Sequence, residues 1–240
     1  VLYGPGMTPQ GRTQFLVRYG CTGWNDDILQ TLVQRGEGRG YVEIGAGQGQ
    51  WARALQEYRH AAWLQQMREH RQGSNTIPPP LPHPRTLVRA YDDASQLPLN
   101  PTVYHSQTKV HHDFFGTVHT CPDMASVLAQ FENRGRFLLL VYPPADDDMA
   151  VTAVRGYLAA AANTVSSTPT KSTFVPTIVY IGEGRGGANA NDAFFDVLEG
   201  KDSEDDGYAW FLVHKQPGVP CGTKGEESVY IFERHWVGEK

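Results

Sequence analysis

Paired cysteines are missing from this chain: Cys21, Cys121 and Cys221 are odd in number, far apart and outside any C-x-x-C pattern. Neither a disulfide framework nor a zinc site is indicated, and a reducing compartment is the default expectation. No apolar run approaches the length that spans a bilayer, so no membrane partner is expected. The opening residues also lack the charged-then-apolar plan of a secretory signal. Because the chain starts at Val1 rather than Met, that last absence carries little weight, and the expected location is intracellular, cytoplasmic or mitochondrial. Lysine is absent from the first hundred residues, which hold 10 Arg against 8 acids, while the rest holds 11 basic and 18 acidic residues. With a net charge of −5, this mild asymmetry does not make a nucleic-acid-binding footprint. The balance of 40% hydrophobic and 20% charged residues over 240 positions is that of one globular domain, residues 1–240, large enough for a sheet covered on both faces.

What the chain does have is the stretch VEIGAGQGQW, Val42 to Trp51. A β-prone run (Tyr41, Val42, Ile44) leads into Gly45, Gly47 and Gly49, and a helical pattern follows at once in Trp51, Ala52, Ala54 and Leu55. Glycine serves such a turn by reaching positive φ without a Cβ clash and by letting the backbone come close to a ligand. The dinucleotide fingerprint G-x-G-x-x-G fails here, because its closing position falls on Gln50. With Glu43 inside the strand end, the full pattern is acid-x-Gly-x-Gly-x-Gly.

Residues 1–38 read as an irregular lead-in, with a short strand at Phe15 to Tyr19, then a helix capped by Asn25 or Asp26 and stopped by Gly36 and Gly38. A helix continues from Trp51 to Gly73, and five prolines make residues 74–85 an inserted surface loop. The second strand, Thr86 to Tyr91, ends in Asp92 and Asp93, and a carboxylate there can accept from both hydroxyls of a ribose. Phe114 to Val118 is the expected third strand, and Pro122 opens a helix with Met124, Val127, Leu128 and Phe131 on one face. His111, His112 and Asp113 are not read as a metal site, since adjacent strand histidines point to opposite faces; no metal is expected.

Phe137 to Tyr142 is an unbroken apolar run, the mark of a strand buried on both faces, and it ends in Tyr142-Pro143-Pro144. Consecutive prolines leave carbonyls there without competing N–H groups. A helix with Met149, Val154 and Tyr157 on its apolar side follows, then a loop at 163–176 and a fifth strand, Thr177 to Ile181. Gly182, Gly184 and Gly187 match G-x-G-x-x-G, yet the next helix starts only near Asn191, too late for its amino end to cover a pyrophosphate. This turn is expected as a mobile loop over the crevice, with Glu183 and Arg185 as substrate contacts. After an acidic loop at 199–207, Trp210 to His214 and Ser228 to Arg234 close the chain as a hairpin with one reversed strand at the sheet's end.

The acid-x-Gly-x-Gly-x-Gly turn resembles motif I of the Rossmann-like (class I) S-adenosylmethionine-dependent methyltransferases. The strings VEIGAGQGQWA, LLLVYPPADDDMA and VYIGE with a later DAFF are similar to a group of methyltransferase-like proteins in which a tryptophan precedes the two prolines and an aromatic residue follows them. The resemblance runs from about Tyr19 to Trp236. It implies an α/β Rossmann-like fold with a mostly parallel seven-stranded sheet, a C-terminal antiparallel hairpin and helices on both faces. It also implies S-adenosylmethionine as cofactor, held by Glu43, Gly45, Ala46, Gly47, Gly49 and Asp92, with Tyr142, Pro143 and Pro144 facing the transferred methyl. The prolyl strand end further resembles the (Asp/Asn)-Pro-Pro-(Tyr/Phe) motif of amino-group methyltransferases, but Tyr142 and Ala145 replace its two ends. The methyl acceptor therefore stays open. A second reading keeps the fold as an inactive structural or assembly subunit of a large complex, such as the protein and RNA of an organellar ribosome, with the loops at 74–85 and 199–207 as contacts.

Overall fold

The computed structural model describes residues 6–73, 86–93, 117–165, 174–201, 207–223 and 225–238. The proline-rich insertion expected at 74–85 and the triplet His111, His112 and Asp113 lie outside them. The elements run α1 (Pro9–Tyr19), α2 (Asp26–Gly36), β1 (Tyr41–Ile44), α3 (Gln50–Gly73), β2 (Val88–Asp92), β3 (Val118–Thr120), α4 (Met124–Ala129), β4 (Phe137–Val141), α5 (Met149–Val165), β5 (Thr177–Gly182), α6 (Asp192–Leu198), β6 (Tyr208–Pro217) and β7 (Ser228–Trp236). A short 3-10 turn at Phe131–Asn133 separates α4 from β4.

All seven strands join one sheet in the order β3-β2-β1-β4-β5-β7-β6. β1 pairs in parallel with β2 on one side and β4 on the other, β2 with β3 and β4 with β5, while β7 runs antiparallel to both β5 and β6. This is the expected mostly parallel seven-stranded sheet with a C-terminal antiparallel hairpin. The reversed strand is β7, second from the edge; the expected position at the sheet's end belongs to β6, which the chain places outside β7 by a long connection.

Every residue of β1 and β5 is buried, as a strand covered on both faces requires. Alternate side chains feed two cores. Tyr41, Leu139, Val179 and Ile181 meet α2 and α3 residues such as Leu32 and Leu55, whereas Val42, Leu138, Leu140 and Ile178 meet Val127, Val154 and Phe194 from α4, α5 and α6. α2 is capped as its sequence suggests, the Asn25 side chain accepting from the Ile28 N–H at 2.9 Å.

Three local expectations are corrected. Phe15 to Tyr19 belongs to helix α1, because Pro9 occupies its first turn, the Thr8 hydroxyl accepts from the Gly11 N–H at 3.0 Å, and the Phe15 and Tyr19 rings stack one turn apart at 4.9 Å. β3 runs Val118–Thr120, past the expected end at Val118, and residues 114–116 of the expected strand lie outside the described residues. α4 is capped by Asp123, whose carboxylate accepts from Ala125 and Ser126 N–H groups, so Pro122 stays outside the helix. Its chain leaves the helix before Phe131, which is 79% exposed instead of facing the core.

The amino-terminal edge of the central strands is tied by one buried arginine. The Arg136 Nη1 donates to the carbonyls of Thr86 (2.8 Å), Leu87 (3.2 Å) and Tyr41 (3.2 Å), and its Nε donates to the Glu132 carbonyl at 2.8 Å. Three carbonyls from the starts of β1 and β2 thus share one cation. Removing it takes the charged donor from all three, and although the Leu87 carbonyl keeps the Tyr41 N–H at 2.6 Å, each buried acceptor left short costs about 1–3 kcal/mol. Arg136→Ala is expected to lower stability by about 3–5 kcal/mol in urea unfolding, and an unchanged midpoint would refute this assignment.

Candidate functional site

The sheet winds outward in both directions from the β1/β4 pair, which leaves a crevice at the carboxyl ends of those two strands, where open α/β sheets bind ligands. The glycine turn forms its floor. Gly45, Gly47 and Gly49 all take positive φ (74°, 56° and 81°), the conformation glycine permits at least cost. The turn is fastened to the end of β2: Gly45 and Ala46 donate to the Tyr91 carbonyl at 2.9 and 3.0 Å, and Gly47 donates to Asp92 Oδ2 at 2.7 Å. Gly49 donates to the Ala46 carbonyl at 2.9 Å.

These four N–H groups are therefore spent inside the protein, and they are the groups an anion cradle would need. The turn presents a close-approach surface instead of a phosphate nest. A Cβ added at Gly47 would meet no atom of the described residues within 4 Å, while one at Gly45 would meet the Met149 methyl at 2.6 Å. The crevice is open over Gly47 and walled by Met149 over Gly45. Sequence reading assigned Met149 only to the apolar side of its helix; nothing local signals that the amino end of α5 reaches the turn.

Glu43 lies within this floor. Its side chain is 1% exposed and its Oε2 has no hydrogen-bond partner. Burial, and then the nearby Asp92 charge, push its carboxyl up to about 8. Glu43 is accordingly a largely protonated acid near neutrality, and its burial rules out service as a base for an external acceptor. Asp92 ends β2, half-buried, with one oxygen committed to the turn and its carboxylate beside the crevice mouth.

Across the crevice, Tyr142 leaves β4 at φ 50°, a left-handed conformation rare for a bulky residue, and its N–H donates to the Ile181 carbonyl at 2.7 Å. Pro143 is buried, and its carbonyl accepts from the Ala190 N–H at 2.9 Å. The expectation that the prolines leave this carbonyl without a competing donor is corrected, because the chain before α6 folds back onto it. Ala190 is the other described non-glycine residue at positive φ, 54°, so both sides of that contact are conformationally constrained.

The loop from Gly182 to Gly187 is laced into its surroundings. The Asn189 side chain accepts from the Glu183 N–H at 2.9 Å and donates to the Tyr180 hydroxyl at 2.8 Å, and the Tyr180 hydroxyl donates to the Glu183 carbonyl at 2.6 Å. Glu183 Oε2 accepts from the Ala188 N–H at 2.6 Å. Arg185 pairs with Asp192 (3.1 Å), Asp196 (2.8 Å) and Glu199 (3.2 Å), all on or just after α6. The structure thus gathers Glu43, Gly45, Ala46, Gly47, Gly49 and Asp92 at one crevice floor with Tyr142 and Pro143 at the adjoining strand end. Glu183 and Arg185 are engaged within their own loop and with α6. Among the described residues, no group of three or more His, Cys, Asp or Glu is placed to hold a metal ion, and no helix is long and apolar enough to cross a membrane.

No protein-family model matches the sequence, and no curated protein matches it. Among solved structures, magnesium protoporphyrin IX methyltransferase from Synechocystis PCC 6803 with bound SAM is 12% identical, with a TM-score of 0.41 over 98% of this chain and 88% of that one. The same enzyme with bound SAH gives 12% identity and a TM-score of 0.39 over 98% and 91% of the two chains. A structure reported for the conversion of a disulfide bond into a thioacetal group during echinomycin biosynthesis gives 13% identity and a TM-score of 0.34 over 97% and 94%. At such identities and TM-scores the likeness carries no weight for ligand or activity.

The buried Glu43 has a measurable signature. Its carboxyl is raised from 4.5 to about 8 on folding, so its contribution is intact below about pH 4.5 and is lost progressively as pH rises through 8. Glu43→Gln removes this dependence. The variant should match the wild type near pH 5 and exceed it by on the order of a few kcal/mol near pH 9. Parallel pH profiles of the two proteins in thermal unfolding would refute the assignment.

Proposed function

We propose that the crevice binds S-adenosylmethionine and that the chain is an S-adenosylmethionine-dependent methyltransferase. One observation carries this reading: a glycine turn at the β1/β4 crevice that is open over Gly47 but whose Gly45, Ala46, Gly47 and Gly49 N–H groups are already bonded within the protein. Such a floor suits a ligand without phosphates that packs against the backbone, and it disfavours a dinucleotide.

In this reading Gly45, Ala46, Gly47 and Gly49 hold the methionine and ribose side, Asp92 accepts from the ribose hydroxyls, and the buried Glu43 anchors the loop. S-adenosylmethionine supplies an activated methyl on a sulfonium when bound. The protein's part is to align the acceptor with it and exclude water, which can contribute about 7–11 kcal/mol. Tyr142, Pro143 and Pro144 hold the strand end where the acceptor would lie. The Ala190 contact already uses the Pro143 carbonyl, and the acid or amide of the amino-group motif is absent at Tyr142, so two of the groups that would accept from an amine are altered. Glu183 and Arg185 shape the neighbouring loop, which reaches the substrate by positioning α6.

The same altered strand end favours, as a second reading, an inactive methyltransferase-fold subunit of a larger protein or RNA assembly. A run of exposed apolar side chains on the edge strand, Phe211, Leu212 and Val213, with Trp236 and Val237 at the end of β7, is the surface that reading would use. Calorimetric titration separates the two. Wild type should bind S-adenosylmethionine or its demethylated product, and Gly47→Arg should weaken this by about 100-fold or more with an unchanged circular dichroism spectrum. No measurable affinity in the wild type would sink the enzyme reading. Loss of a native assembly by Gly47→Arg alone would sink the subunit reading.

A further inference from the structure

The connection between β6 and β7 meets the segment that joins α1 to α2. Gly23 and Val219 form an isolated antiparallel bridge, with the Gly23 N–H donating to the Val219 carbonyl at 2.7 Å and the Thr22 hydroxyl to the same oxygen at 3.4 Å. The approach is close enough that a Cβ on Gly23 would lie 3.2 Å from both the carbonyl oxygen and a methyl of Val219. Counted outward from that single bridge, Cys21 and Cys221 each lie two residues away at the same end of it, in turn and bend segments outside any strand ladder.

Both cysteines are half-buried thiols. Cys21, Arg12 and Glu227 are the charged or titratable groups that act on Cys221, which places the two sulfurs in one neighbourhood independently of that bridge. Cys121 belongs to the core on the other face of the sheet, among Val127 and Leu128.

We propose that Cys21 and Cys221 form a redox-responsive dithiol that closes to a disulfide by exchange with a small-molecule disulfide. One cysteine thiolate attacks the small disulfide, forming a mixed disulfide and releasing one small thiolate. The second cysteine thiolate then attacks the protein sulfur of that mixed disulfide, forming the Cys21–Cys221 bond and releasing the second small thiolate. Two protein thiols are oxidised, one small disulfide is reduced to two thiols, and the two sulfhydryl protons end on those thiols.

The bond would clasp the entry segment to the C-terminal hairpin. That segment also supports the site, because the Thr22 carbonyl accepts from the Trp51 indole N–H at 3.0 Å, and Trp51 opens the first turn of α3 after the glycine turn. Closure links the two ends of the chain across the sheet, so it constrains a long loop of the unfolded state. Burial pushes the Cys221 thiol up, ahead of the opposing effect of Arg12, so closure should accelerate as pH rises above neutrality.

The test incubates the full chain with glutathione disulfide, counts thiols after denaturation and maps the linked peptides. The expected result is a fall from three thiols to one, a peptide joining Cys21 to Cys221, and a Tm rise of about 5–15 °C that dithiothreitol reverses. Cys21→Ser and Cys221→Ser should each lose the Tm response while Cys121→Ser keeps it; the wild-type readout does not depend on these variants folding. A linked peptide containing Cys121, stable mixed disulfides without the internal link, no thiol loss at any oxidant ratio, or a Cys21–Cys221 link that leaves Tm unchanged would overturn the proposal.

Discussion

The position of β1 between β2 and β4 is the constraint on which the molecule depends. A parallel strand hydrogen-bonded on both sides and buried on both faces can be entered and left only through its ends, so both ends of β1 are elaborately fastened. At the amino end, Arg136 gathers carbonyls from Tyr41, Thr86 and Leu87. At the carboxyl end, the Tyr91 carbonyl accepts two N–H groups of the glycine turn and Asp92 accepts a third. Moving either neighbour out of register would leave these polar groups buried without partners, a cost larger than the loss of the same number of exposed bonds.

Fastening the turn in this way decides what the crevice offers. Once the N–H groups are used internally, the floor can contact a ligand through glycine Cα atoms and open space, while Asp92 supplies negative charge beside it. Burial, and then the neighbouring Asp92 charge, disfavour ionisation of Glu43, which is why it holds its proton near neutrality. The opposite wall carries a different cost. Tyr142 and Ala190 both occupy left-handed backbone, a conformation that persists only where surrounding contacts over-determine it. The Ile181, Pro143 and Ala190 hydrogen bonds supply that determination, and they hold the strand end against the loop that leads into α6.

Much of this was legible in local sequence. The turn announced itself through glycine at alternate positions after a β-prone run, because backbone that must take positive φ selects glycine at each step. Phe137 to Val141 declared a strand buried on both faces through its unbroken apolar run, and Asn25 declared the start of α2. The misread places share a cause. Phe15 to Tyr19 has apolar residues that suit a strand or a helix, and the Thr8 cap with Pro9 settled it for helix. Phe131 continues the spacing of α4, but the helix ends at Ala129, so the spacing no longer describes a face. The Gly182 to Gly187 loop has the composition of a free loop, and its anchors, Asn189, Tyr180 and the acids of α6, become visible only when the chain has turned back on itself.

By itself the sequence determined the class of fold, the order of strands and helices from α2 onward and the position of the glycine turn, since each of these follows from patterns within a few residues: alternating or continuous apolar positions, caps and glycine spacing. Tertiary structure decided which groups meet. Met149 walls the turn, Asp92 fastens it, the Pro143 carbonyl is taken by Ala190, and the Gly23–Val219 bridge joins the segments that carry Cys21 and Cys221. Those contacts join residues separated by tens to hundreds of positions, and their hydrogen bonds and burial exist only after the sheet has brought distant segments into one place.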